Sequence, residues 1–308
     1  MGMGRGGGGE ESPGQGHYPG RMPQDPSVAG FYDRLAPDYH LIFPDWDASM
    51  ARQGRALDAL IRTHRAAPHT AEALDILDCS CGIGTQAIPL AHHGHRVTAT
   101  DISPAAVARA AREASARGAR LSTTAVADMR SLPFADARFD VVVCADNSLP
   151  HLLTEEDVHR ALAEMRRVLR PTGLLILSTR PYDEIRRDRP TSTPPQLGPA
   201  APHARTVTFQ LWHWHDDGER YDLEHFQLVP EEVREGSVAG APEEAEGEDW
   251  DVRVRRTTYW ALTQRQLTAF ATAAGFTEPT WHTPEETGFF QPVLTAGAPR
   301  QEPRHLTV

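Results

Sequence analysis

From residue 49 to 178 the chain alternates helical stripes with short apolar runs. Leu57, Leu60, Ile61 and His64 fall on one stripe of a helix over 49–64. A buried strand over 74–79 then meets the glycine turn Gly82-Ile83-Gly84 and a helix through Leu90. The next run, 96–100, ends at Asp101, after which Ser103 caps a helix that Pro104 begins and Gly118 stops. A short strand over 122–126 and the apolar run 139–144 follow. Thr154 and Asp157 form a capping box for a helix with the stripe Val158, Leu162, Met165 and Leu169, and a fifth strand covers 173–178. Strands alternating with helices predict an α/β fold, a mostly parallel sheet with helices on both faces.

Past residue 205 the period changes to two. Residues 206–215 and 219–228 alternate around Asp217-Gly218, which predicts a type I′ hairpin. Counting back from that turn pairs Trp214 with Tyr221, Trp212 with Leu223 and His213 with Asp222. A third alternating stretch, 250–262, completes a small antiparallel sheet. A helix over 263–274 ends at Gly275, and strands near 277–282 and 289–295 close the main sheet as a hairpin. The Gly- and Pro-rich stretch 1–27 has little to bury and is expected to be a disordered tail; 186–204 and 231–249 are expected to be mobile loops.

Composition narrows the function classes. The 308 residues hold 31 basic and 42 acidic side chains, net charge -11, and every basic residue is Arg. That balance disfavours binding to phosphate backbones or to anionic lipid, so neither nucleic acid nor membrane is an expected partner. Three cysteines, Cys79, Cys81 and Cys144, are too few for a disulfide framework or a four-cysteine zinc site and suit a reducing cytoplasm. No apolar run approaches the ~20 residues of a transmembrane helix, and the N-terminus lacks the apolar core of a secretory signal. A soluble, cytoplasmic protein is expected.

Ligands of open parallel sheets bind beyond the carboxyl ends of the strands. Here those ends carry Asp78-Cys79-Ser80-Cys81-Gly82-Ile83-Gly84-Thr85, then Asp101, then Asp128-Met129, then Asp146-Asn147-Ser148. Four carboxylates ring one crevice. The arrangement resembles the class I S-adenosylmethionine-dependent methyltransferases, whose first motif reads apolar-apolar-Asp/Glu-x-Gly-x-Gly-x-Gly; Ser80 stands where the first Gly usually does. The resemblance covers about 70–180. It implies a Rossmann-like seven-stranded sheet with one antiparallel strand and an inserted antiparallel β lid. It also implies that Gly82 and Gly84 let the backbone approach the cofactor, that Asp101 takes the ribose hydroxyls, that Asp128 and Met129 contact adenine, and that Asp78 lies near the methionine end. Ser80, Thr85, Ile102 and Ala145 complete the implied cofactor set along these strand ends. The product would be S-adenosylhomocysteine.

Gly82-Ile83-Gly84-Thr85-Gln86-Ala87 also satisfies the dinucleotide fingerprint G-x-G-x-x-A, with Asp101 following at the expected distance. Charge separates the two readings. A nicotinamide dinucleotide brings an anionic pyrophosphate to this turn, whereas S-adenosylmethionine brings a sulfonium and an ammonium. Unit charges at 4 Å interact by about 4 kcal/mol at an effective dielectric near 20, so the sign of the crevice favours the methyl donor.

A narrower resemblance starts at the fourth strand. Asn147-Ser148-Leu149-Pro150-His151-Leu152 and Arg180-Pro181-Tyr182-Asp183 are similar to the Asn-Ser-x-x-His-Leu and Arg-x-Tyr-Asp motifs of the glycine and glycine/sarcosine N-methyltransferases. The segment from Tyr32-Asp33 to Trp46-Asp47, with Arg52 after it, is similar in type to that branch's cofactor-covering segment. The resemblance implies that Arg180 pairs with a substrate carboxylate and that Asn147 hydrogen-bonds it, with Tyr182 following in the same motif. His151 is expected to cap the next helix or to orient Asn147. Asp146, His151, Tyr32 and Tyr39 remain candidates for taking or relaying a proton. An amine attacking a sulfonium needs alignment and dryness more than a strong base.

The implied organisation is a tail over 1–27, cover helices and cofactor-binding core over 28–182, an inserted lid with loops over 183–254, completion of the core over 255–300 and a tail over 301–308. The small-molecule acceptor is expected to be an amino-acid-like amine, with an O-methyltransferase and a binding-only sensor as alternatives. A homo-oligomer is left open, since lid sheets of this kind can pair between subunits. His213, His215 and His225 raise a metal site, but the hairpin count turns His225 to the face away from His213, so no metal is expected.

Overall fold

The computed structural model describes residues 27–64, 73–198, 206–230 and 250–299. The expected tail over 1–27 apart from Ser27, the tail over 301–308, residues 199–204 of the expected loop over 186–204, and the loop over 231–249 lie outside them. Helix α1 (Val28–Leu35) is capped by Ser27, whose hydroxyl accepts the Gly30 amide at 3.0 Å. Helix α2 (Trp46–His64) begins three residues before its expected start and buries Leu57 and Ile61, while His64 is exposed.

The main sheet comprises β1 (Asp75–Asp78), β2 (Arg96–Asp101), β3 (Thr123–Val126), β4 (Phe139–Cys144), β5 (Leu169–Ser178), β10 (Thr277–His282) and β11 (Val293–Gly297). Its order is β10-β11-β5-β4-β1-β2-β3, and β11 is the one strand antiparallel to its neighbours. Helices α3 (Ala87–His92), α4 (Pro104–Ala116) and α5 (Glu155–Val168) link the parallel strands, as the alternating pattern required. Successive strand residues point to opposite faces. Ile76, Val141, Val143 and Ile176 therefore join Leu57, Ile61 and Leu90 in one core, while Leu77, Val142, Leu175 and Leu177 join Val158, Leu162 and Met165 in the other. The Thr154 cap is half of the expected box: Thr154 Oγ1 accepts the Asp157 amide, but the Asp157 carboxylate turns outward to Arg130 at 3.0 Å.

After β5 come α6 (Tyr182–Asp188) and a second, antiparallel sheet of β6 (Gln196–Leu197), β7 (Val207–Trp214), β8 (Arg220–Pro230) and β9 (Trp250–Trp260). Part of the stretch expected to be a mobile loop over 186–204 is thus ordered as the end of α6 and as β6. The hairpin register is the one the alternation gives, Trp214 opposite Tyr221 and His213 opposite Asp222. Its turn is different. Gly218 has φ +63, but Asp217 does not have the positive φ a type I′ turn demands. Instead the His215 carbonyl accepts the Gly218 amide at 3.0 Å, the His215 amide donates to Arg220, and the Asp217 carboxylate accepts the Glu219 and Arg220 amides. Two carboxylate-to-amide bonds favour this wider turn.

Helices α7 (Gln264–Ala273) and α8 (Pro284–Thr287) flank the last strands, each started by a capping box, at Thr263 and Thr283. The second sheet is tied to the N-terminal segment by buried charge. Asp38 accepts from Arg253 at 2.6 Å and from Arg255, whose Nε donates to the Arg34 carbonyl at 2.8 Å. Among the described residues no helix is long and apolar enough to cross a membrane.

Candidate active site

The carboxyl ends of β1, β2 and β4 open under α1 and the segment that follows it. At the first end Gly84 accepts tight packing: an added Cβ would stand 2.7 Å from Ile88 Cδ1, and its φ is +96. Gly82, φ +52, would meet nothing within 4 Å, so a side chain there would project into open space. Asp101 fixes this loop. One carboxylate oxygen accepts the Gly82 amide and the other the Ser103 amide, each at 2.9 Å. Burial raises the Asp101 pKa.

At the end of β4 two successive side-chain-bearing residues have left-handed backbones, Asp146 at φ +55 and Asn147 at φ +65. Aspartate and asparagine tolerate that region better than most, and β5 holds it in place. The Asp146 amide donates to Ser178 Oγ at 2.8 Å and the Asn147 amide to the Ser178 carbonyl at 3.1 Å. Ser178 Oγ in turn donates to Gln291 Oε1 at 3.0 Å.

Two cavities result. The first, about 330 Å³, is lined by Ser80, Gly82, Thr85, Asp101, Ile102, Asp128 and Met129, together with Tyr32, Tyr39, Asp146 and His151. The second, about 350 Å³, is lined by Asn147, Arg180, Arg52, Gln210, His225, Tyr259 and Gln291, and again by Tyr32, Tyr39 and Asp146. Those three residues form a wall common to both.

Tyr39 donates to Asp146 Oδ2 at 3.1 Å, and the Tyr32 hydroxyl meets His151 Nε2 at 2.8 Å. Burial holds both tyrosines well above the ordinary phenol pKa and raises that of Asp146. His151 is driven down to about 3 by burial and by the Arg180 cation, so its imidazole is neutral. It packs on Tyr259 with ring centroids 4.2 Å apart, and its Nδ1 lies 3.3 Å from Thr257 Oγ1.

Arg180 is half-buried against the second sheet. Its guanidinium donates to the Tyr221 hydroxyl at 3.0 Å and to Gln210 Oε1 at 3.2 Å, and it lies over the rings of Trp212 and Tyr259 at 4.9 and 5.3 Å. No carboxylate among the described residues comes within ion-pair distance of it; its polar partners are Tyr221 and Gln210. Asn147 Oδ1 accepts the Arg180 amide at 3.2 Å.

Several sequence-predicted residues stand elsewhere. Trp46 lines neither cavity; its indole donates to Thr85 Oγ1 at 3.1 Å and its ring carries the Arg117 guanidinium, making it a support for the glycine loop. Arg52 lines the second cavity and not the first. Asp78, Gly84 and Ala145 lie behind the cavity wall, because they belong to the strand tips and to the tight turn rather than to the exposed loop. Asp78 keeps Oδ2 without a hydrogen-bond partner, and burial lifts its pKa to about 7. Tyr182 is buried behind Arg180, its hydroxyl 3.0 Å from that of Tyr221. Asp128 is held by Arg130, with contacts of 2.6 to 3.1 Å, so the crevice is less negative than four free carboxylates would make it.

Residues not assigned to the site from sequence are Gln210, His225, which was weighed only as a metal ligand, Tyr259 and Gln291. For the first three the signal was present in the period-two register, which puts Tyr221, Leu223 and His225 on one face of β8. His213 and His215 point the other way, toward Glu224 and Asp222 at 3.5 and 3.2 Å. Gln291 precedes β11 and carried no periodic signal.

Residues 76–173 match the family described as Methyltransferase domain. A glycine/sarcosine N-methyltransferase of Parasynechococcus marenigrum (strain WH8102) is 37% identical over 142 residues, which are 46% of this chain and 48% of that protein. The chain thus spans about half the length of the curated relatives it matches. Among solved structures, the CcbJ methyltransferase from Streptomyces caelestis superposes with a TM-score of 0.64 at 19% identity, covering 87% of this chain and 98% of that one. An amino pentose methyltransferase from Micromonospora echinaspora, bound to S-adenosylmethionine, gives 0.60 at 20% identity, covering 92% and 100%. The chain has the fold of the class I S-adenosylmethionine-dependent methyltransferases. The first cavity suits that methyl donor. Gly82 leaves open space where a side chain would stand, Asp101 sits at the tip of β2, and the nearby acid Asp78 has an unpaired oxygen.

Proposed function

We propose that this chain transfers a methyl group from S-adenosylmethionine to the nitrogen of a small amino-acid-like amine. The observation that carries the reading is the shared wall: the second cavity adjoins the first across Tyr32, Tyr39 and Asp146, and it contains a half-buried arginine with no carboxylate within ion-pair distance among the described residues. The matching relative named as a glycine/sarcosine N-methyltransferase supports the amine.

The donor supplies an electrophilic methyl group on a sulfonium. Everything else falls to the protein. Gly82, Asp101, Ile102 and Met129 hold the donor in the first cavity. Arg180 orients the acceptor by pairing with its carboxylate, assisted by Asn147, and leaves the amine facing the common wall. A protonated amine has no free lone pair, so its proton must leave before the nitrogen–carbon bond forms as the carbon–sulfur bond breaks. Asp146 is the acid–base group at that wall. Burial keeps it more basic than an ordinary carboxylate, and Tyr39 fixes its orientation. His151, neutral and bonded to Tyr32, keeps the cover segment closed over the reacting atoms.

The test is transfer of a labelled methyl group to a panel of amines, carboxylic acids and phenols. Labelling of carboxylate-bearing amines is the expected result. Labelling confined to acids or phenols would replace the reading with an O-methyltransferase, and donor binding with no transfer would favour a sensor.

A further inference from the structure

Two residues that line the second cavity each hold a buried polar atom with no hydrogen-bond partner among the described residues, Asn147 Nδ2 and His225 Nε2. They come from opposite walls, Asn147 from the end of β4 and His225 from β8. Asn147 has a part in holding a carboxylate beside Arg180. His225 has none in the reading so far, although it is only 5% exposed.

Its neighbours across the sheet are Gln210 and Arg255. Both are already committed. Gln210 Oε1 accepts from Arg180 and from the Trp212 indole at 3.1 Å, and Arg255 is bound to Asp38, Gln227 and the Arg34 carbonyl. Burial and the Arg255 and Arg180 cations lower the His225 pKa to about 4, so it is a neutral imidazole with one donor and one acceptor nitrogen. A buried polar atom left unpaired carries a desolvation cost that an incoming hydrogen-bonding group removes.

Size points the same way. A cavity of about 350 Å³ lies within the range of pockets that enclose drug-sized ligands, ~300–1,000 Å³. Leu35, Ile42, Phe43 and Phe290 give it apolar walls. Glycine would fill a small part of it. With its carboxylate on Arg180 and its amine toward the donor, glycine also has nothing left to offer His225.

We propose that the acceptor is a carboxylate-bearing amine larger than glycine, with an apolar body ending in a neutral hydroxyl or amide, and that His225 is the residue that reads this end group. The inference rests on the amine reading above and narrows it. It assigns His225 to specificity, with no part in the chemical step.

Calorimetry on the protein loaded with S-adenosylhomocysteine separates the two levels. The probes are glycine and two matched pairs, tyrosine against phenylalanine and glutamine against norvaline. At least one polar member should bind ten-fold or more tightly than its apolar partner and than glycine. His225→Leu should erase that preference, His225→Gln should restore part of it, and both variants should bind S-adenosylhomocysteine as the native protein does. Equal binding within both pairs, glycine binding as tightly as the larger probes, or a preference that survives His225→Leu would each overturn the inference. Failure of all five probes to bind would overturn it as well. The parent reading fails on different evidence, the absence of labelled methyl transfer to any amine, whereas transfer to glycine alone would spare that reading and sink this one.

Discussion

The Tyr39 hydroxyl donates to Asp146 Oδ2 at 3.1 Å, which joins the segment after α1 to the tip of β4 at the wall between the two cavities. This bond stabilises the carboxylate and opposes the upward push of burial on its pKa. Tyr39→Phe removes the opposition, so the Asp146 pKa rises further. If Asp146 takes the proton of the acceptor, the acid limb of the kcat/KM profile then moves to higher pH, while the affinity for S-adenosylhomocysteine changes little. A pH–rate profile of the variant checks this; an unmoved acid limb would remove Asp146 from the proton path.

Arg180 is the second point of leverage. Truncating one member of a buried, hydrogen-bonded charge pair costs about 2–5 kcal/mol of binding. Arg180→Ala should therefore raise KM for a carboxylate-bearing acceptor by at least thirty-fold, on the order of 2 kcal/mol, and leave cofactor affinity nearly intact. Arg180→Lys should recover only part of the loss, because a point charge cannot form the forked pair and stacks less well between Trp212 and Tyr259. Steady-state kinetics of both variants decide the matter, and an unchanged KM for the true acceptor would dispose of the clamp.

The two loop glycines should separate stability from binding. At Gly84 an added Cβ collides with Ile88 in a backbone conformation that side chains avoid. Gly84→Ala is expected to destabilise the fold by about 1–3 kcal/mol, measured by urea unfolding. At Gly82 the strain is smaller and the new methyl points into open space at the cavity wall. Gly82→Ala should cost about 1 kcal/mol of stability and weaken S-adenosylhomocysteine binding more than Gly84→Ala does. The opposite order of affinities would mean that the donor does not lie against Gly82.

Most of the main sheet was legible because its strands are apolar on both faces and its helices carry explicit caps. Ser103 and Thr154 mark helix starts in the sequence and serve as caps in the structure. Helix α1 had no such clarity: it is short, contains Gly30, and is held by tertiary bonds such as Asp33 to Ser103 at 2.5 Å, which no local pattern reveals. The same limit applies to the site. Gly82 and Asp101 follow from the turn and the strand end. Arg130 pairs with Asp128 from only two residues away and was open to a local reading, whereas Trp46 bracing Thr85 from outside the cavity depends on a contact between distant segments. Gln291 joins Ser178 and Asp146 from more than one hundred residues away, with nothing periodic around it.

Asp78 offers a measurement that needs no acceptor. Its native pKa stands near 7 against an ordinary 3.8, because burial penalises the carboxylate and Asp101 repels it. Between those values the native state binds more protons than the unfolded state, so stability must fall as pH rises from about 4 to about 7 and then level off. The full contribution is on the order of 4 kcal/mol. Asp78→Asn does not titrate and keeps an oxygen able to accept the Ser80 amide, which Asp78 now accepts at 3.3 Å. The stability of the variant relative to the native protein should therefore improve steadily across that window. Taking the difference between the two proteins cancels the titration of Asp101 and Asp146 to first order. Urea unfolding of both at intervals from pH 4.5 to 8 gives the curve. A difference that does not vary with pH would show that the Asp78 carboxylate is not held in the buried environment described behind the first cavity.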